Sequence, residues 1–124
     1  MNNPTIIKWY FTTGGVDWLL PGTLKEVATF MNTGYTLYKT QGGWKDNANK
    51  LVQEDSYVLE IVIDNSKELE YKVKVICQFL CKEFNQEEVL AYLIPAYSKI
   101  VTRRRVTVST KDLDAEPASW PSGS

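Results

Sequence analysis

The chain of 124 residues contains no histidine, only two cysteines and no long apolar run. Without histidine and without a second cysteine pair, it has too few nitrogen and sulfur ligands for a tetrahedral zinc site. Cys77 and Cys81 are spaced by one helical turn, which suits reduced thiols packed on a helix better than a secreted disulfide framework. We therefore expect no metal and no cofactor.

Membrane and nucleic-acid partners are also disfavoured. No stretch approaches the roughly 20 apolar residues of a membrane span, and the segment Met1-Asn2-Asn3-Pro4 does not resemble a secretion signal. The formal net charge is −1, so the chain lacks the broad cationic field that supplies most nonspecific nucleic-acid affinity. We expect a cytoplasmic protein (in the host cell, if a phage encodes it) that binds neither a membrane nor extended nucleic acid.

The composition that remains is that of an ordinary globular domain, with 44% hydrophobic and 23% charged residues. Hydrophobic periodicity predicts the element order β-α-β-β-α-β. The predicted elements are strands at 5–12, 35–40, 57–63 and 88–94, a helix capped by Thr23 with Glu26 and ended by Gly34, and a helix at 66–84 capped by Asn65 or Ser66. This order predicts an α+β, ferredoxin-like sandwich, in which both helices lie on one face of a four-stranded antiparallel sheet.

The sandwich is complete near residue 94, and we divide the chain into a domain at 1–98 and a C-terminal strand and tail at 99–124. A further strand is predicted at 100–110, and Trp120 in the tail is costly to leave in water. We expect this arm to pack on its own domain or on a second copy of the chain.

Two loops and the arm carry candidate ligand-binding residues. The segment 41–56 is much longer than a hairpin loop of 2 to 5 residues and is predicted to be a functional loop. It offers backbone amides, cations and one large ring, and the turn after strand one offers amides and a carboxylate. Arg103 and Arg105 alternate onto one strand face about 7 Å apart, where two phosphates would suit them. The candidates are Thr13, Gly14, Asp17, Trp18, Gly43, Trp44, Lys45, Arg103 and Arg105.

Each candidate also has a simpler explanation. Ordinary turn chemistry accounts for both loops, and the two arginines suit a solvated edge or pairing with the acidic residues Asp112, Asp114 and Glu116. Lys8, Tyr10, Tyr38 and Tyr92 fall on the sheet face opposite the helices in one register, where they favour either base stacking or self-association. Glu60 is a candidate base, or else a cross-strand partner of Lys8.

Scattered motifs resemble a family of small bacterial βαββαβ proteins known as a domain of unknown function. They are Tyr10-Phe11 followed by glycine, Gly42-Gly43-Trp44, Glu54 before strand three, and the segment 84–90 that closes the second helix. The resemblance covers residues 5–94 and implies the fold without implying an activity. Because that family generally ends at strand four, it implies nothing about the arm.

In size, architecture and site chemistry, the chain also resembles the phage anti-defence sponge proteins that sequester cyclic ADP-ribose signals of the Thoeris immune system. This resemblance implies a non-catalytic protein, a homodimer or higher oligomer, that binds a nucleotide-like ligand without cleaving it. Two alternatives stay open. One is a cofactor-free enzyme of the dimeric α+β barrel type, in which Glu60 or a tyrosine moves protons on a small apolar substrate. The other is a protein-binding inhibitor.

Overall fold

The structure, a computed structural model, describes residues 4–96 and 104–109. Within these ranges it gives only the backbone of Trp44, Glu54, Arg104, Arg105, Thr107, Val108 and Ser109. The elements are β1 (Pro4–Phe11), a 3-10 turn (Asp17–Leu19), α1 (Leu20–Met31), β2 (Thr36–Lys45), β3 (Leu51–Asp64), α2 (Leu69–Glu83), β4 (Glu88–Pro95) and β5 (Arg104–Ser109).

The five strands form one antiparallel sheet in the order β2-β3-β1-β4-β5. The first four strands have the order of a ferredoxin-like sandwich, so the α+β prediction is confirmed. β5 is the extra strand and pairs with β4. The division at residue 98 stays a prediction. Arg103, Trp120 and the acidic residues of the tail lie outside the described residues.

The core lies between the helices and one face of the sheet. Alternation along β1 buries Ile7, Trp9 and Phe11, and the Trp9 side chain is fully buried. The Trp9 indole Nε1 donates a hydrogen bond to the backbone oxygen of Val73 at 3.3 Å. This bond joins the central strand to α2 and satisfies the one polar atom of a large buried ring.

The segment 41–56 is not the long loop that the sequence analysis predicted, because β2 and β3 continue to pair through most of it. Cross-strand pairing runs on from Gln41 opposite Asp55 to Lys45 opposite Leu51. Only five residues then form the turn, in which Asp46 Oδ1 accepts hydrogen bonds from the backbone nitrogens of Ala48 and Lys50, each at 2.9 Å. The segment is therefore a hairpin that extends past the end of β1.

The first helix begins earlier than predicted. α1 starts at Leu20, and the Thr23 hydroxyl donates to the backbone oxygen of Leu19 at 2.8 Å, inside the helix rather than as its cap. Its end is set by Asn32, which adopts a left-handed conformation with φ of 55°. Gly34 does not have a positive φ and is not the stop that the sequence suggested.

The second helix begins later than predicted, at Leu69 rather than Ser66. A turn precedes it, in which the backbone nitrogen of Leu69 donates to the oxygen of Ser66 at 3.2 Å. Its apolar residues, spaced by three or four, are buried: Leu69, Val73, Ile76, Leu80 and Phe84. Among residues 4–96 and 104–109, no helix is long and apolar enough to cross a membrane.

Candidate functional site

The turn between β1 and α1 presents a carboxylate and an indole at one end of the sheet. Gly14 and Gly15 have φ values of 61° and 90°, a region that favours glycine. The backbone nitrogen of Val16 donates to the oxygen of Thr13 at 3.2 Å and closes the turn. The chain leaves this turn directly into the 3-10 segment that carries Asp17 and Trp18.

The Asp17 carboxylate is held by two hydroxyl donors. Thr13 donates to Oδ1, and the Tyr57 hydroxyl donates to Oδ2 at 2.8 Å. These two hydrogen bonds favour the ionised form and lower the pKa of Asp17, with Lys39 adding a smaller lowering through its charge. The same bond to Asp17, together with desolvation, raises the pKa of Tyr57. Asp17 therefore stays charged and Tyr57 stays neutral over a wide range around neutral pH.

Tyr57 is fixed by the aromatic core beneath the site. Its ring is only 5% exposed and stacks on Phe11, with centroids 5.8 Å apart. Phe11 in turn stacks on Phe84 at 5.5 Å. Since β1 pairs Phe11 directly with Tyr57, the sheet register itself places the phenol beside the turn. The sequence analysis gave Tyr57 only as the first residue of the third strand and missed its contact with Asp17.

The turn after α2 supports the site from the other side. The Thr12 hydroxyl donates to Gln86 Oε1 at 2.5 Å, and Gln86 Nε2 donates to the backbone oxygen of Phe84 at 2.9 Å. A Cβ atom added at Gly14 would lie 3.3 Å from Gln86 Nε2. Gln86 was not among the predicted site residues, and its side chain fixes the turn to the end of α2.

A cation lies next to the carboxylate. Lys39 is opposite Tyr57 in the register of β2 and β3, and its Nζ lies 3.4 Å from Asp55 Oδ2. The hydrogen bond to Asp55 is the main cause that raises the pKa of Lys39. This exposed pair gives the site one positive and two negative groups, counting Asp17, at the end of the sheet where β1 stops.

Trp18 adds a solvent-exposed aromatic ring to the site. Its side chain is 75% exposed, although a large aromatic surface is costly to leave in water. It directly follows Asp17, whose oxygens keep lone pairs beyond the two that accept from Thr13 and Tyr57. A fixed acceptor and an exposed aromatic ring on the same short segment are groups that can bind the sugar and stack on the base of a nucleoside.

The structure brings together some of the predicted ligand-binding residues and separates others. The turn holds four of them: Thr13, Gly14, Asp17 and Trp18. Gly43, Trp44 and Lys45 lie in β2, paired with residues 51–53. Gly43 is opposite Gln53, four residues along β3 from Tyr57, a separation of about 13 Å in an extended strand. These three are therefore strand residues of the hairpin rather than loop residues.

Of the two arginines predicted to bind phosphates, the structure describes one. Arg105 lies opposite Tyr92 in the register of β4 and β5, and Arg103 lies outside the described residues. The binding role of both stays a prediction.

The cross-strand alternative for Glu60 is confirmed. Lys8 Nζ lies 3.9 Å from Glu60 Oε1, and the Tyr38 hydroxyl donates to Glu60 Oε2 at 2.9 Å. Tyr10 and Tyr92 contact each other edge to face, with centroids 5.8 Å apart. These groups share the sheet face opposite the helices, in the register that the sequence analysis considered.

Comparisons with known proteins assign the chain to a family. Residues 23–99 match the family described as "Protein of unknown function (DUF3574)", so the chain belongs to that family. This confirms the resemblance to a small domain of unknown function, while the link to Thoeris sponge proteins finds no support. A search of curated proteins gives no match.

Solved structures with this fold include a phage S-adenosylmethionine (SAM) lyase. Its complex with S-methyl-5'-thioadenosine has a TM-score of 0.63 and 17% identity, and the alignment covers 88% of this chain and 91% of that one. The apo lyase has a TM-score of 0.67 and 16% identity, with 90% and 93% covered. GlnK of B. subtilis with ATP aligns at a TM-score of 0.48 and 12% identity, over 88% and 86% of the two chains.

These comparisons overturn one prediction and support another only in general terms. The prediction that the chain is not an enzyme is wrong, because the SAM lyase that shares its fold is an enzyme. A fold that accommodates small ligands agrees with the expected ligand class, since the lyase was solved with S-methyl-5'-thioadenosine. Neither cyclic ADP-ribose nor a sponge role is supported.

Proposed function

We propose that this member of the family is an enzyme that binds an adenosyl compound at the β1–α1 turn and cleaves S-adenosylmethionine to S-methyl-5'-thioadenosine. The observation that carries the proposal is the Asp17 carboxylate, which Thr13 and Tyr57 fix and which the exposed Trp18 follows in the chain. The SAM lyase with the same fold suggests which adenosyl compound to test first. Since this substrate is an intracellular metabolite, the proposal implies a cytoplasmic location.

In this proposal each group of the site has one task. Asp17 accepts hydrogen bonds from the ribose hydroxyls, for which a carboxylate held in one orientation is well suited. Trp18 stacks on the adenine, and the glycine turn lets the ligand approach the backbone closely. Tyr57 and Thr13 touch Asp17 and orient it.

The proposed reaction is an internal displacement. The carboxylate oxygen of the substrate's methionyl part attacks its own γ-carbon, and the bond from that carbon to the sulfonium sulfur breaks. The sulfur takes the bonding electron pair and leaves as neutral S-methyl-5'-thioadenosine, while the attacking part closes to homoserine lactone and keeps its ammonium group. No proton is gained or lost, and no water, metal or redox partner takes part.

The electrostatics of the site suit such a reaction. Hydrogen bonding lowers the pKa of Asp17, and its partner Tyr57 has a raised pKa, so neither group titrates near neutrality. General acid–base catalysis works best when a catalytic pKa lies close to the working pH. The site is therefore built to hold and orient a substrate, and the proposal predicts a rate that is nearly constant between about pH 6 and pH 9.

Incubation with S-adenosylmethionine and quantification of S-methyl-5'-thioadenosine by mass spectrometry test the proposal. The wild-type protein should form the thioether and homoserine lactone in equal amounts. Asp17→Asn keeps the shape of the side chain but removes its charge, and it should lower kcat/KM by at least tenfold.

Asp64→Asn is the matched control for this experiment. Asp64 is exposed and lies opposite Pro4, at the other end of β1 from the turn. Its variant loses the same charge and should retain wild-type activity. The proposal fails if the folded wild-type protein forms no thioether above the rate of spontaneous breakdown, or if both variants lose activity equally.

A further inference from the structure

The sheet has a second, largely apolar face that the helices do not cover. We call it the open face and define it by alternation: it carries the side chains of β1 to β4 that point away from the buried Trp9. Its apolar members in β1, β3 and β4 include Ile6, Tyr10, Val62, Leu90, Tyr92 and Ile94. Tyr10 is 38% exposed and Val62 is 43% exposed. The register pairs Ile6 with Val62 on one side and with Ile94 on the other, so the apolar surface is continuous across three strands.

The charges at the centre of the open face are already compensated. Lys8 and Glu60 face each other at 3.9 Å, and Tyr38 donates to the second oxygen of Glu60 at 2.9 Å. Their side chains are 34% and 20% exposed, so the pair is partly withdrawn from water. A charged partner such as nucleic acid or an acidic peptide would find little to bind here, whereas an equally neutral surface would fit.

The area of the open face matches what a stable interface requires. The four strands β1 to β4, about 4.8 Å apart and roughly 26 Å long, present a footprint of about 500 Å². Two copies that pack face to face would bury about 1,000 Å², which is the minimum area expected of a biological interface.

We propose that the open face is the contact between copies of this chain, so that a second copy covers Tyr10 and Val62. A self-complementary contact needs a surface without net charge, and the internal Lys8–Glu60 pair provides it. This inference does not depend on the proposed activity, because none of these residues belongs to the turn that carries Asp17.

The test is the mass of the protein in solution, measured by light scattering across a dilution series. The wild-type protein should have twice the mass of one chain, or more, at about 100 µM. Val62→Lys should shift it to the monomer, because a buried ammonium without a partner is costly in an interface. Tyr10→Lys on the neighbouring strand should do the same.

Leu51→Lys provides the matched control, because Leu51 lies on the same strand as Val62 and is 59% exposed. It belongs to the hairpin beyond the end of β1, outside the open face. This variant should assemble as the wild type does. Circular dichroism shows whether each variant is folded. If Val62→Lys does not fold, the mass of the Tyr10→Lys variant tests whether the open face is the contact.

Three results would overturn the inference. They are a monomeric wild-type protein at the highest concentration, an assembly that survives both lysine substitutions on the open face, and an assembly that Leu51→Lys disrupts as strongly as Val62→Lys.

Discussion

The most informative perturbation of the proposed site is Trp18→Ala. The side chain is 75% exposed and contacts solvent at the surface of a short 3-10 segment, so its removal should leave the fold intact. An adenine stacked on the indole would cover one of its two faces. The loss of affinity on truncation then measures the stacking interaction alone.

The expected magnitude follows from the exposed area. A fully exposed tryptophan has about 250 Å² to bury, so about 190 Å² is free here and one face amounts to about 95 Å². At about 25 cal/mol per Å², this is worth about 2 kcal/mol, or roughly thirtyfold in Kd. Alanine substitutions at base-stacking rings generally cost about 1–3 kcal/mol, which agrees with this value.

Titration calorimetry with S-methyl-5'-thioadenosine is the appropriate assay, because this ligand is the product and separates binding from turnover. Trp18→Ala should weaken binding about thirtyfold, and Trp18→Phe should recover most of the loss. Tyr35→Ala is the matched control, since Tyr35 is an exposed aromatic outside the site. Wild-type affinity in the Trp18→Ala variant would refute the stacking argument.

Three further predictions concern the fold. Trp9→Phe removes the hydrogen bond to Val73 and part of a fully buried ring, and it should lower the free energy of unfolding by about 2 kcal/mol in urea titrations. Gly14→Ala should lower the free energy of unfolding by about 1 kcal/mol or more, because φ at this position is 61°. Gly34→Ala is the control: its φ is not positive and the space around it is open, so it should not destabilise the protein. Equal losses of stability in the two variants would contradict this reasoning. Burial raises the pKa of Cys77 to about 12, so iodoacetamide at pH 8 should alkylate it only after denaturation, as mass spectrometry would show.

The fold was predictable because its signals are local. Alternation in β1 identifies Trp9 as a core residue from the residues beside it, and spacing by three or four identifies the buried stripe of α2. Helix ends were predicted less well. Thr23 and Glu26 have the pattern of a capping box, yet α1 begins at Leu20 because the residues of the preceding 3-10 turn are already helical.

The hairpin at 41–56 was missed because the strands continue without an apolar alternation. Gly42 and Gly43 interrupt β2, and the facing stretch of β3 is mostly polar. Pairing across the hairpin, together with the Asp46 turn, holds these residues extended. Glycine and polar residues in one chain segment indicate a loop unless their partners are known.

The site was half predictable for a similar reason. The glycine turn with Thr13 and Asp17 can be recognised from neighbouring residues, but Tyr57 is 40 residues away from Asp17 along the chain. Their contact depends on the register that places Phe11 opposite Tyr57. A shift by one residue would turn the phenol to the other face of the sheet, and no local pattern states which register is adopted.

The central claim is that the β1–α1 turn holds an adenosyl ligand, and the structure of the protein crystallised with S-methyl-5'-thioadenosine tests it most directly. The account predicts ribose hydroxyls within about 2.6–3.2 Å of the Asp17 carboxylate oxygens and adenine stacked on Trp18. A ligand bound elsewhere, with Asp17 and Trp18 still facing solvent, would contradict the claim.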